Sequence, residues 1–179
     1  MEDDLDLSDL EATLRKKKKR INSRRKGANF ERQLAKLFNS KFKTKEFART
    51  PGSGAFATTH DLPEHIAIYG DLITPKEFIF VIEAKSGYNI NIFDLFKENN
   101  ELDKFIRQAK RDSKNNNKDW LLIYKKTRNK PIVITKLKKF HQYLKDKEVN
   151  IPNKQISLYL LDDILNLPTE IFLYKDNTE

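Results

Sequence analysis

Three observations predict an α/β fold with a central mixed sheet flanked by helices. Residues 78–85, Phe-Ile-Phe-Val-Ile-Glu-Ala-Lys, form a nearly unbroken apolar run. Such a run marks a strand covered on both faces, as at the centre of a mixed sheet. Amphipathic helical stretches over 27–41 and 91–112 lie on either side of it in the chain, and β-rich runs follow at 120–124 and 131–135.

The elements follow in order. Phe30, Leu34, Leu37 and Phe38 recur at helical spacing. Phe47-Ala48-Arg49 reads as a short strand, and Thr50-Pro51-Gly52-Ser53-Gly54 as a loop punctuated by one Pro and two Gly. Residues 55–65 carry no clear period. Ile66 to Tyr69 leads into Gly70-Asp71 and Leu72-Ile73, and residues 74–77 read as a turn before the apolar strand. In 91–112, Ile92, Phe93, Leu95 and Phe96 form one apolar patch. Leu102, Phe105, Ile106 and Ala109 form a second after Asn99-Asn100. Residues 115–117 read as a loop, 125–130 as a basic turn, 137–144 as a helix, 156–160 as a strand and 162–165 as a short helix. The expected layout is a flexible arm over 1–26, acidic then basic, a core over 27–135 and a small α/β extension over 136–179 packed on it.

Composition narrows the function. The 179 residues hold 35 Lys+Arg against 26 Asp+Glu, a formal charge of +9. Six of those acids fall in the first 11 residues, leaving 35 bases against 20 acids over the rest. Arg15 to Arg20 is an unbroken basic run, and Arg24, Arg25 and Lys26 follow. Like-charge blocks resist compaction and serve as interaction arms. The block reads either as a solvated tail or as an arm that neutralises phosphates and releases their counterions. With no cysteine, disulfides, Cys-ligated zinc, iron–sulfur clusters and thiol nucleophiles are excluded. No apolar run approaches the roughly 20 residues of a membrane span. The acidic start, Met1-Glu2-Asp3-Asp4, is unlike a secretory signal. A cytoplasmic setting is expected. His60, His65 and His141 lack the spacing of a metal set and read as ordinary residues.

The chemistry concentrates at Gly70-Asp71 and Glu83-Ala84-Lys85. Strand alternation puts Glu83 and Lys85 on one face and Ala84 on the other. A hairpin between the Asp71 region and this strand would bring the two carboxylates together. Paired carboxylates plus a backbone carbonyl suit a hard cation such as Mg²⁺. A lysine beside them can orient a water or stabilise developing phosphoryl charge. The plainer alternative is a structural ion pair, since an unpaired Glu or Lys is costly in an apolar strand. Glu31, on the first turns of the first helix, is either a carboxylate favoured by the helix dipole or a further acid at the site. Arg49 to Gly54 is either a plain turn or a loop whose backbone and Ser53 approach a phosphate. Arg107, Gln108, Lys110 and Arg111 place a basic helix after the ExK strand, within reach of DNA phosphates.

Five motifs stand in order: Lys26-Gly27-x-x-x-Glu31-Arg32, Arg49-Thr50-x-Gly52-Ser53, Gly70-Asp71, Glu83-Ala84-Lys85 and Gln108-Ala109. Across residues 24–135 this set resembles the PD-(D/E)XK nucleases of the Holliday junction resolvase type found in archaea and bacteriophages. The resemblance implies a restriction-endonuclease-like core and a structure-selective endodeoxyribonuclease acting on branched DNA. It implies metal ligation by Asp71, Glu83 and the Ala84 carbonyl, with Glu31 close by, and Mg²⁺ as the cofactor with Mn²⁺ as a substitute. Lys85 would be the catalytic lysine and Ser53 would lie near the scissile phosphate. Two sites in a homodimer would cut opposed strands of a four-way junction, gripped by the basic run that ends in Arg24, Arg25 and Lys26. The sequence departs from minimal archaeal resolvases in a longer 55–65 segment, a small residue at Ala84 and the tail after 135. Phage enzymes carry similar extensions, so a viral origin is expected. Nicking or restriction-type nucleases, and a non-catalytic basic DNA-binding protein, are the competing readings.

Overall fold

The computed structural model describes residues 23–51 and 66–174. Helix α1 (Ser23–Phe42) leads into strand β1 (Ala48–Arg49). Strands β2 (Ile66–Tyr69) and β3 (Leu72–Pro75) pair antiparallel, and β1 adds to the other side of β3. Strand β4 (Phe80–Ser86), a 3₁₀ turn (Ile92–Phe96), helix α2 (Glu101–Asn115) and strand β5 (Asp119–Lys125) form a crossover unit in which β4 and β5 are parallel. Strand β6 (Ile132–Lys136), helix α3 (His141–Leu144), strands β7 (Val149–Ile151) and β8 (Ile156–Leu160) and helix α4 (Leu161–Leu165) complete the chain's main elements. The larger sheet has the order β4-β5-β6-β8-β7. Its mixed strands, covered by helices, match the fold class expected from sequence.

Both faces of this sheet are buried. Phe80, Ile82 and Ala84 of β4, with Leu121 and Ile123 of β5, join α1 in one core. Trp120, Leu122 and Tyr124 face the other way and pack with Leu102, Phe105, Ile106 and Ala109 of α2. The first core is rich in phenylalanine: Phe38, Phe47, Phe78, Phe80, Phe140 and Phe172 are all nearly inaccessible. Burying each such side chain stabilises by about 1.5–3 kcal/mol. Phe140, Tyr159, Leu161, Ile164 and Phe172 come from beyond residue 135, yet they belong to this same core. Strands β8 and β7 extend the same sheet.

Helix α2 starts at a capping box. The Asn100 side chain accepts from the Asp103 N–H at 2.9 Å, and Asp103 accepts in return from the Asn100 N–H. Two otherwise unsatisfied donors are thereby paired.

Several local expectations are corrected. Strand β4 is buried on both faces, but it ends the larger sheet rather than occupying its centre. The smaller sheet covers its outer edge through a parallel bridge between Gly70 and Ile82. The turn expected over 74–77 is confined to Lys76-Glu77, because Thr74 and Pro75 pair with β2. Helix over 137–144 survives only from His141, since Lys138 has φ +58°, outside the right-handed helical region. Strand β7 has no sequence signal, being three residues long with one buried. Helix α2 runs on through Asn115, one residue into the loop that the sequence predicts over 115–117.

Candidate active site

Gly70 begins the site. Its φ of +72° is a conformation that side chains rarely adopt. A Cβ there would lie 2.4 Å from the Ile82 carbonyl oxygen. The absent side chain lets this backbone lie directly against β4, and the Asp71 N–H donates to that same carbonyl at 2.9 Å. Asp71 meets β4 through this parallel approach, not through the hairpin expected from sequence.

The Asp71 carboxylate then turns onto β4, where Oδ2 accepts from the Ala84 N–H at 2.8 Å. The N–H and C=O of one strand residue point to the same edge. The Ala84 carbonyl therefore also points to the Asp71 side, away from β5.

Glu83 and Lys85 share the α2 face of β4. Lys85 Nζ donates to Oε1 of Glu83, stands 3.7 Å from Asp71 Oδ2, and lies 5.4 Å from the Phe105 ring centroid. The Glu83 side chain is only 1% exposed, and its second oxygen, Oε2, is buried with no hydrogen-bond partner. Burial, and then the neighbouring Asp71 charge, push the Glu83 carboxyl up to about 7 despite Lys85. Burial pulls the Lys85 ammonium down, but the Glu83 and Asp71 carboxylates outweigh it and the net shift is upward. Lys85 is thus held protonated. Two acids and one base leave this cluster an electrostatic deficit that a cation would fill.

Glu31 and Arg49 sit one strand away. Arg49 Nε donates to Glu31 Oε2 at 2.5 Å. Arg49 pairs with Leu72 across the β1–β3 ladder, and the Thr50 N–H donates to the Asp71 carbonyl at 3.0 Å. The Thr50 backbone thus ties β1 to Asp71, while the charges of Glu31 and Arg49 are committed to each other. Among the described residues, no group of three or more His, Asp or Glu side chains comes together as a metal-binding set. A cation at Asp71 and Glu83 would take its remaining ligands from backbone and water, as Mg²⁺ commonly does.

The other sequence candidates are dispersed. Ser53 lies outside the described residues, as do His60 and His65. Arg24 and Arg25 fall on the first turn of α1. Arg107 and Arg111 are exposed on α2, and Gln108 is half-buried there. Lys110 instead packs against the sheet, 5.7 Å from the Trp120 ring and 3.4 Å from the Lys154 carbonyl it donates to. His141 bonds to Glu148. Sequence reasoning passed over Lys125 and Arg128, which join Lys26 in a groove behind β4. Their basic turn was visible, but its position against α1 was not. No helix among the described residues is long and apolar enough to cross a membrane.

The model of a family described as "phage putative PDDEXK endonuclease" matches residues 22–172. The match takes in Asp71, Glu83 and Lys85, and it continues through the segment after 135. No curated protein and no solved structure matches the chain.

Proposed function

The chain belongs to this phage PDDEXK endonuclease family, and from that premise we propose a divalent-metal-dependent endodeoxyribonuclease that resolves four-way DNA junctions. One observation carries the active-site assignment. The buried Glu83 oxygen without a partner stands beside Asp71, in a cluster where one lysine serves two carboxylates. A structural ion pair would use both oxygens, because an unpartnered buried polar atom is costly.

Asp71, Glu83 Oε2 and the Ala84 carbonyl are the oxygen donors that would hold Mg²⁺, with Mn²⁺ as a substitute. Such an ion supplies phosphate polarisation and a water of lowered pKa. The residues do the rest. Asp71 is fixed by the Ala84 N–H, so its orientation is set before substrate arrives. Lys85 stays protonated. It therefore acts as a hydrogen-bond donor that positions the attacking water and offsets charge on the phosphoryl oxygens, not as a base. Glu83 must be deprotonated to ligate, so cation binding releases a proton when the pH is near or below 7.

Junction selectivity is supported by the five ordered motifs and by the strongly basic chain outside its acidic first 11 residues. Paired cuts on opposed strands require two sites, which a homodimer would supply. Residues 1–22, with most of the basic run, lie outside the described residues. The test is cleavage of an end-labelled four-way junction and of its matched linear duplex. Paired symmetric nicks on the junction alone are expected, and EDTA should abolish them. Equal cutting of the duplex would replace junction resolution with a broader nuclease role. Salt-sensitive binding without any cleavage would leave a DNA-binding protein.

A further inference from the structure

Strand alternation sends Ser86 to the α1 side of β4, opposite Lys85. There, a groove runs between α1 and the ends of β4 and β5. Lys26, Asn29 and Gln33 line one wall, and Ser86, Lys125 and Arg128 line the other. Among the described residues, no carboxylate lines it. Elsewhere lysines are matched to acids: Lys130 to Asp162, Lys136 and Lys139 to Asp119, Lys147 to Asp163 and Lys154 to Asp103. Lys125 instead lies over the Phe30 ring, 5.8 Å from its centroid.

Two further features mark the groove. The Ser86 hydroxyl is buried with no hydrogen-bond partner. Arg128 has φ +66°, where glycine or asparagine would be cheaper. Lys43, Asn99, Asn117, Lys138 and Gln155 share this left-handed conformation, so for Arg128 it marks the tight turn after β5. Asn29 accepts from Arg32 through Oδ1, which leaves its amide group free to donate.

We propose that this groove is a second phosphate subsite, holding a backbone phosphodiester of bound DNA away from the scissile phosphate. Lys26, Lys125 and Arg128 supply charge; Ser86, Asn29 and Gln33 supply hydrogen bonds. The chemistry is that of non-specific backbone contact, which positions a duplex without reading its bases. The assignment rests on reading the chain as a DNA nuclease.

The test is binding of a labelled four-way junction and its duplex across a salt series in EDTA, where cleavage cannot intervene. The variants are Lys125→Ala, Arg128→Gly and the double. Glycine suits φ +66°, so Arg128→Gly should keep or raise the melting temperature. The double variant should bind both DNAs about tenfold more weakly near 0.1 M salt, and its log–log salt slope should fall by about one. Affinity within about twofold of wild type with an unchanged slope would overturn the proposal. So would stabilisation by inorganic phosphate that the variants lose while their DNA affinity stays intact, since the groove would then serve free phosphate. Wild-type DNA binding in EDTA, followed by no cleavage of either DNA once Mg²⁺ or Mn²⁺ is added, would sink the nuclease reading while leaving the groove standing.

Discussion

The side chains of Glu83 and Glu148 are equally inaccessible and held in opposite ways. Each side chain is about 1% exposed. Both oxygens of Glu148 have a partner: Oε1 lies 3.0 Å from Ser157 Oγ, whose one proton it shares with Asn150 Oδ1, and Oε2 lies 2.9 Å from His141 Nδ1. Glu83 uses one, for Lys85, and has a second carboxylate beside it. Burying a carboxylate is tolerable where each oxygen has a partner, and destabilising where one has none. The fold completes the bonding of Glu148 with neutral or titratable partners. At Glu83 it leaves an oxygen open and places an extra negative charge next to it. The proposed ligand role of Glu83 rests on that difference.

The largest test of the comparison is cleavage. Glu83→Gln should lower the rate by about 10³-fold or more while DNA binding persists. Glu148→Gln should leave the rate within about threefold, as measured on the same end-labelled junction. If both variants lost activity equally, the distinction between the two sites would fail.

Backbone substitution gives the next largest effect. Gly70→Ala forces a Cβ to 2.4 Å from the Ile82 carbonyl and should cost more than about 3 kcal/mol in denaturant unfolding. It should also displace Asp71. Gly87 has φ +83°, but its nearest neighbour in that position is Lys26 Cδ at 3.9 Å. Gly87→Ala should therefore cost only about 1–2 kcal/mol, the penalty for left-handed backbone.

The pH dependence of metal-free protein follows from Glu83. Its carboxyl rises from 4.5 in the unfolded chain to about 7 in the fold. Between those values the native state binds a proton that the unfolded state has lost, so stability falls as pH rises. The fall is complete above pH 7 and amounts to something on the order of 3 kcal/mol. Unfolding in EDTA from pH 4.5 to 8 should show this slope for wild type and a flatter one for Glu83→Gln. Glu148→Gln should lose about 1–2 kcal/mol at pH 7.5, the value of disrupting a buried hydrogen bond.

The two glutamates also differ in how visible they are in sequence. Glu83 interrupts an apolar strand, and a charge there demands an explanation from sequence alone. Glu148 stands in Asp146-Lys147-Glu148-Val149-Asn150, a polar stretch that reads as surface. It is buried only because Ser157 of β8 and His141 fold onto it. Helix α1 and strands β4, β5, β6 and β8 follow directly from apolar periodicity. The approach of Asp71 does not, because it depends on the positive φ of Gly70 and on a bridge to a strand 12 residues away. The groove behind β4 was equally hidden. It forms only when the turn after β5 meets α1, a juxtaposition set by tertiary packing.

The proposed cation ligand is the open oxygen of Glu83. The direct measurement is calorimetric titration of Mn²⁺ into wild type, Glu83→Gln and Glu148→Gln at pH 7.5, without DNA. Wild type and Glu148→Gln should bind with the same affinity, and Glu83→Gln at least about tenfold more weakly. Equal binding by all three proteins would contradict the account and return the Asp71, Glu83 and Lys85 cluster to a structural role.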